Sequence, residues 1–371
     1  MKDESRSSQR MRIKLIRALG VCVPMGLLLY GCGGGGGTPP TTMTAAFREF
    51  VVPVASNEPT SPPPGSWPDD LVVDSSGDIW LAEHHSDEVG EFKPSGGTYV
   101  YTGIPVPTAT SEMDSIAVDS SRGLVWVTEN AGNKILKLNL NAVVPLATEL
   151  NVATAADPDP VPGDITLDSN GTPWFDEGYE GGAVTGKIGM VDIPSGQITD
   201  FAAPTEPGGL DGIRFDSSGA LWFVELTDNK VGRYVNGRFT EYPLPRPDVT
   251  PTNIAPDSHG RIWVTEQTGD AIAILDPTKS GAAAWQELPV PTPNSLPSGI
   301  AVDPAGNVWF TEFMGSKIGV VPAGSNTVLD FAIPTANSGP EDITSVSAGK
   351  AFFTEQYGNK VGEITVSGLP A

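Results

Sequence analysis

The sequence is short of cysteine, histidine and positive charge, and each shortage closes off some chemistry. Its 371 residues include two cysteines, Cys22 and Cys32. Both lie near the N-terminus, so the rest of the chain has no disulfide and no thiolate metal site, and its stability must come from packing. Histidine occurs three times, at His84, His85 and His259, which leaves few candidates for imidazole chemistry. Lys and Arg number 22 against 45 Asp and Glu, a net charge of −23. No basic patch interrupts this acidity, and such a surface repels nucleic acid and anionic membrane. Helical periodicity is absent. So are a Gly-rich phosphate loop and the strand–turn–helix setting of a nucleophilic serine; the serines fall mostly in Asp-Ser-Ser-Gly turns.

The first residues read as a targeting segment. Arg12, Lys14 and Arg17 precede the apolar stretch "VCVPMGLLLY", which is too short to span a bilayer, and "LYGC" ends at Cys32. Leu29, Gly31 and Cys32 resemble a bacterial lipobox, with a bulky Tyr30 between. The expected products are a signal peptide, residues 1–31, and a lipid on Cys32. A start at Met11 would lose nothing the signal needs. Gly33 stands where an aspartate would retain a lipoprotein at the inner membrane. In a cell with two membranes the expected location is therefore the outer one, facing the periplasm or the surface. Residues 32–45, opening "CGGGGGTPPTT", form a flexible tether. The exported part, 32–371, carries 16 Lys and Arg against 43 Asp and Glu, a net charge of −27.

The remainder, 46–371, is one unit repeated seven times. The copies open at "LVVDSSGDIWLAE" (71), "IAVDSSRGLVWVTE" (116), "ITLDSNGTPWFDE" (165), "IRFDSSGALWFVE" (213), "IAPDSHGRIWVTE" (254), "IAVDPAGNVWFTE" (300) and "ITSVSAGKAFFTE" (343). Their starts are 41 to 49 residues apart. Each unit reads as four short strands: A ("IAVD"), an Asx/Gly turn, B ("VWFTE"), C ("KIGVV"), and an outer strand D followed by proline. Seven such units predict an all-β fold, a seven-bladed β-propeller of four-stranded antiparallel blades. The seventh unit lacks strand D, and "AAFREFVVPV" (45–54) matches one. The N-terminal strand is therefore expected to close the last blade, hiding two sheet edges.

The phrase "GIAVDPAGNVWFTEFMGSKIGVV" resembles the repeat of virginiamycin B lyases, and the likeness extends over all seven units. The resemblance implies a seven-bladed propeller and an enzyme that opens a cyclic depsipeptide by elimination, using Mg²⁺ and histidine. It places histidines two residues before the "GI" of strand A in two neighbouring blades, one of them within a Glu-x-His-Gly-Ile motif. The glutamate of the following "WFxE" joins the metal. In this sequence those positions are Asp69, Asp114, Gly163, Asp211, Thr252, Ser298 and Glu341. None is histidine. The nearest match is "EMDSI", giving Glu112, Asp114 and Glu129 as candidate metal ligands and Asp114 as a poorer base than imidazole.

A glutamate three residues after the tryptophan occurs in every unit: Glu83, Glu129, Glu177, Glu225, Glu266, Glu312 and Glu355. A ligand site in a propeller is assembled once, so a sevenfold glutamate reads as framework, with loop N–H groups as its expected partners. The tryptophans at 80, 126, 174, 222, 263 and 309 read as blade core. The D–A loops bring Trp67, Asp69, Asp70, Glu112, Asp114, Asp164, Asp211, Glu341 and Asp342 to one ring face. That face is either a solvated acidic rim or a site for Mg²⁺ or Ca²⁺. His84 and His85, in a B–C loop, share it and are the candidate catalytic imidazoles; His259 belongs to the opposite face.

Three functions remain open. One is a lipid-anchored extracytoplasmic propeller, expected to be a monomer, whose acidic face binds a small molecule or a protein. Another is a divalent-metal-dependent lyase or hydrolase that opens a depsipeptide-like or lactone ring. The third is a scaffold with no small-molecule site, which should expose an apolar patch at its rim.

Overall fold

Seven four-stranded antiparallel sheets follow one another along the chain and close into a ring. The computed structural model describes residues 43–54, 65–154, 157, 159–177, 186–205 and 209–370. The expected signal peptide, Cys32 and the tether up to residue 42 lie outside the described residues. In blades 1 to 6, strands A to D run in sequence order, as in blade 4: Leu210–Phe215, Leu221–Glu225, Lys230–Val235 and Arg238–Pro243. The described helical structure is one short 3₁₀ turn, Gly281–Ala284, before strand D of blade 5.

Blade 7 is built from both ends of the chain. Its strands A to C are Pro340–Ser347, Lys350–Glu355 and Lys360–Ser367, and its fourth is Thr44–Val51. That strand pairs antiparallel from Thr44↔Ser367 to Val51↔Lys360, and Phe47 meets Phe353 edge to face at 6.2 Å. The expected closure is what the ring shows.

The apolar core is divided among the junctions between blades. Trp222, Val224 and Val231 of blade 4 pack on Ile254, Val264 and Ala273 of blade 5. Phe223, on the other side of the same strand, packs with Ile188 and Trp174 of blade 3. This follows from strand alternation, which sends successive side chains to opposite faces. Phe352 and Val361 of blade 7 join Leu71 and Leu81 of blade 1, which completes the circle.

Two details of the repeat are explained by contacts. In blades 1, 4, 5 and 6 the aspartate after strand A accepts turn N–H groups on one oxygen and the tryptophan indole on the other. Asp216 takes Ser218 N, Ala220 N and Trp222 Nε1 at 2.8 to 3.0 Å. In blades 3, 4, 6 and 7 the glycine of strand C lies under a strand B phenylalanine. A Cβ on Gly319 would stand 2.0 Å from Phe310 Cζ, and blade 5, with Ala273 there, has Val264 in place of the ring.

Candidate functional site

Every strand A opens with an irregularity that sequence spacing does not reveal. The residue before it has positive φ in all seven blades: Trp67, Glu112, Val161, Gly209, Thr250, Leu296 and Gly339. Five of these are not glycine, and Val161 and Thr250 are β-branched, for which this conformation is strained. A register shift follows within the next three residues, as between Pro297 and Ile300. Such bulges re-aim side chains and recur beside functional sites. Here each bulge turns one or two residues of the D–A connection toward the ring axis. The threonine before the framework glutamate secures this arrangement in several blades. Thr311 Oγ1 accepts Gly299 N at 2.9 Å and donates to Glu341 O of the next blade at 2.8 Å.

The bulges surround a cavity on the axis. Trp67, Asp69, Asp70, Asp114, Asp164, Asp211, Glu341 and Asp342 line it, together with His84. Glu112, Glu129 and His85 stand outside the lining. Of the candidate metal ligands Glu112, Asp114 and Glu129, Asp114 is the one that lines the cavity. Among the described residues no group of three or more His, Cys, Asp or Glu side chains is arranged to hold a metal ion.

Sequence reading missed three kinds of lining residue. Arg214, in strand A of blade 4, lines both the cavity and the central channel behind it, as do Asp70 and Asp342. Burial works against the charge of Arg214, yet Asp164, Asp70, Asp342 and Asp176 raise its pKa further. Gln356 and Phe313 each follow a framework glutamate, as His84 does. Thr252, Asn253 and Ser298 come from the bulges of blades 5 and 6. Two signals could have found the first two kinds. Arg214 is the one charged residue at a position held elsewhere by Val72, Ala117, Thr166, Ala255, Ala301 and Thr344. The position after the glutamate varies where the glutamate does not.

Asp342 is pushed well above the usual carboxylate range, first by burial and then by Asp70 beside it, with Arg214 pulling the other way. Asp70 is held by Ser115 Oγ at 2.6 Å and Ile116 N at 2.9 Å. His84 is 2% exposed; its Nδ1 lies 3.3 Å from Met113 O and 3.8 Å from Asp69 Oδ2. Asp69 Oδ1 accepts Gln356 Nε2 at 2.7 Å. His85 stacks on Trp67 with ring centroids 4.0 Å apart, and burial lowers its pKa. Tyr357 stands between Trp67 and Phe313, 5.8 and 5.3 Å from their rings, so one wall of the cavity is aromatic.

The seven glutamates form a separate, outer ring. All are at most 1% exposed, and each sits opposite the first residue of strand A. Their expected partners were loop N–H groups. In five blades cross-strand pairing instead places the lysine that opens strand C directly opposite the glutamate, as a nearby cation and not a hydrogen-bond donor: both carboxylate oxygens lack a hydrogen-bond partner. Lys230 Nζ is 3.7 Å from Glu225, 2.8 Å from Glu241 of strand D and 2.6 Å from Thr205 of the preceding connection. In blade 5, where Ala271 replaces the lysine, Arg246 reaches Glu266 at 2.5 Å. In blade 1, Tyr101 and Ser86 hydroxyls donate to Glu83 at 2.5 and 2.9 Å. Burial dominates over these cations. It raises Glu129, Glu225, Glu266 and Glu312 to about 7, and Glu177 and Glu355 to about 8.

Comparison with known proteins agrees with the repeat. Residues 142–369 match the sequence family described as the virginiamycin B lyase family. A streptogramin B lyase structure is 29% identical, with a TM-score of 0.74 over 87% of this chain and 98% of that one. A catalytically inactive histidine-to-alanine variant of virginiamycin B lyase from Staphylococcus aureus, solved with quinupristin, is 25% identical. Its TM-score is also 0.74, over 87% of this chain and 99% of that one. The selenomethionine form of the Staphylococcus aureus enzyme gives 25% and 0.72 over the same shares. No curated protein sequence matches.

Proposed function

This chain belongs to the virginiamycin B lyase family, and from that premise we propose that it is an exported, lipid-anchored propeller that binds a small molecule in its axial cavity. The observation that carries the reading is convergence. Side chains from the strand A bulges and from the positions after the framework glutamates meet at one cavity, while the glutamates themselves stay outside it. The test is a fragment screen by saturation-transfer NMR on the full chain and on Asp211→Trp, which fills the cavity. Hits lost in the variant are expected. Hits indifferent to it would contradict the reading.

The anchor is tested separately. Cys32→Ala should release the protein from the membrane fraction or stall its processing, and a parent protein that is wholly soluble would refute the anchor.

One observation favours lyase chemistry as a second reading: His84 lines the cavity with Asp69 behind it. Elimination needs a base for a carbon-bound proton and a cation for the developing negative charge. The family's histidine positions carry other residues here, and of Glu112, Asp114 and Glu129 only Asp114 lines the cavity. We expect the protein to leave a type B streptogramin intact in the presence of Mg²⁺. Linearisation at the rate of an authentic lyase, abolished by His84→Ala, would restore the enzyme reading.

A further inference from the structure

The axial cavity has more acceptors than donors, and two of its acceptors are buried without a partner. Gln356 is 5% exposed, and donation of Nε2 to Asp69 fixes its amide. Its Oε1 meets no donor. Asp342 is 7% exposed, and its Oδ1 meets none either. Both residues line the cavity. Buried acceptors are normally satisfied, so a pair left open around one cavity asks for donors from a ligand.

The charge of the lining says what kind of donor. Seven carboxyl groups face the cavity against one guanidinium, Arg214. A bare metal ion needs its ligands drawn together, and the described residues offer no such group. An organic cation suits acceptors spread around a floor, because its N–H bonds point in several directions. Acceptors placed this way suit a small cationic head group. Trp67 and Phe313 line the same cavity, each edge to face with Tyr357, and give an apolar wall for whatever the head group carries.

We propose that the cavity binds a small primary ammonium compound bearing an aromatic group, with the ammonium on Asp342 and Gln356 and the ring against Trp67 and Phe313. This rests on the binding function proposed above and names its ligand class. The experiment is isothermal titration of the full-length chain with 2-phenylethylammonium, 2-phenylethanol and 3-phenylpropionate at one ionic strength. The ammonium should bind at least about tenfold tighter than the alcohol, and the carboxylate more weakly still. Asp342→Leu and Gln356→Leu, which remove the open acceptors, should each weaken the ammonium by about tenfold. Two variants at different positions keep the test intact if one fails to fold. Equal binding of alcohol or carboxylate, or affinity unchanged in a folded variant, overturns the proposal. Binding of the carboxylate alone overturns the ligand class and leaves the cavity a binding site. No heat from any of the three overturns the class as well, and the fragment screen then decides the binding function on its own.

Discussion

Two rings of side chains lie within a few residues of each other on the same end of this propeller, and they follow opposite rules. In the outer ring the residue is glutamate in all seven blades, buried at each junction. A cation or hydroxyl donor stands beside each one. In the inner ring the corresponding positions are Asp69, Asp114, Gly163, Asp211, Thr252, Ser298 and Glu341, with no residue common to the set. A part repeated sevenfold does the same work in each blade. A part that differs in each blade makes an asymmetric surface around a symmetric axis, as recognition of one ligand requires. Burial and charge therefore do not distinguish site from framework here. Repetition does.

The comparison can be broken most severely at the closure of the ring. Deleting residues 38–54 removes the strand Thr44–Val51 and leaves Lys360–Ser367 as an open edge. The truncated protein should aggregate or melt well below the parent, as thermal unfolding with light scattering would show. Full retention of the melting temperature would mean that the framework does not depend on closure.

A smaller effect is expected from uncoupling one link of the outer ring. Lys230→Met leaves Glu225 buried without its cation. Because Glu225 can take up a proton instead, the loss should be about 1–3 kcal/mol at pH 8 and clearly less at pH 5, measured by urea unfolding. An equal loss at both pH values would place the contribution of Lys230 in its packing.

The repeat, the strand order and the closing strand were legible because turn chemistry and register recur at fixed spacing. The framework glutamates were legible for the same reason. Their partners were not, since pairing Glu225 beside Lys230 depends on the length of a loop whose conformation sequence alone leaves open. The face of the cavity was legible from strand direction. Its detailed membership was hidden by the bulges, which begin strand A three residues earlier than its apolar pattern suggests. Arg214 was overlooked because a single basic residue in a strand looks like a solvent-facing one. Only its place in register, among small and apolar residues facing the axis, marks it.

The outer ring also makes the stability of the fold depend on pH. Six outer glutamates hold protons in the fold up to about 7 or 8, whereas the unfolded chain releases them near 4.5. Between those values the folded state binds more protons, so its stability is fullest below 4.5 and declines as pH rises through 7 to 8. Strand D partners such as Glu49, Glu149, Glu241 and Asp330, whose pKa values are lowered, add the opposite loss on acidification. Stability should therefore peak near the lower end of that window.

The most direct measurement is the midpoint of urea unfolding at pH 5 and pH 8 for the parent and for Glu225→Gln with Glu312→Gln. Glutamine imitates the protonated acid, so the pair should lose less stability than the parent on going from pH 5 to pH 8. A slope unchanged by the two substitutions would contradict the account of the repeated glutamates as buried framework groups that hold their protons in the fold.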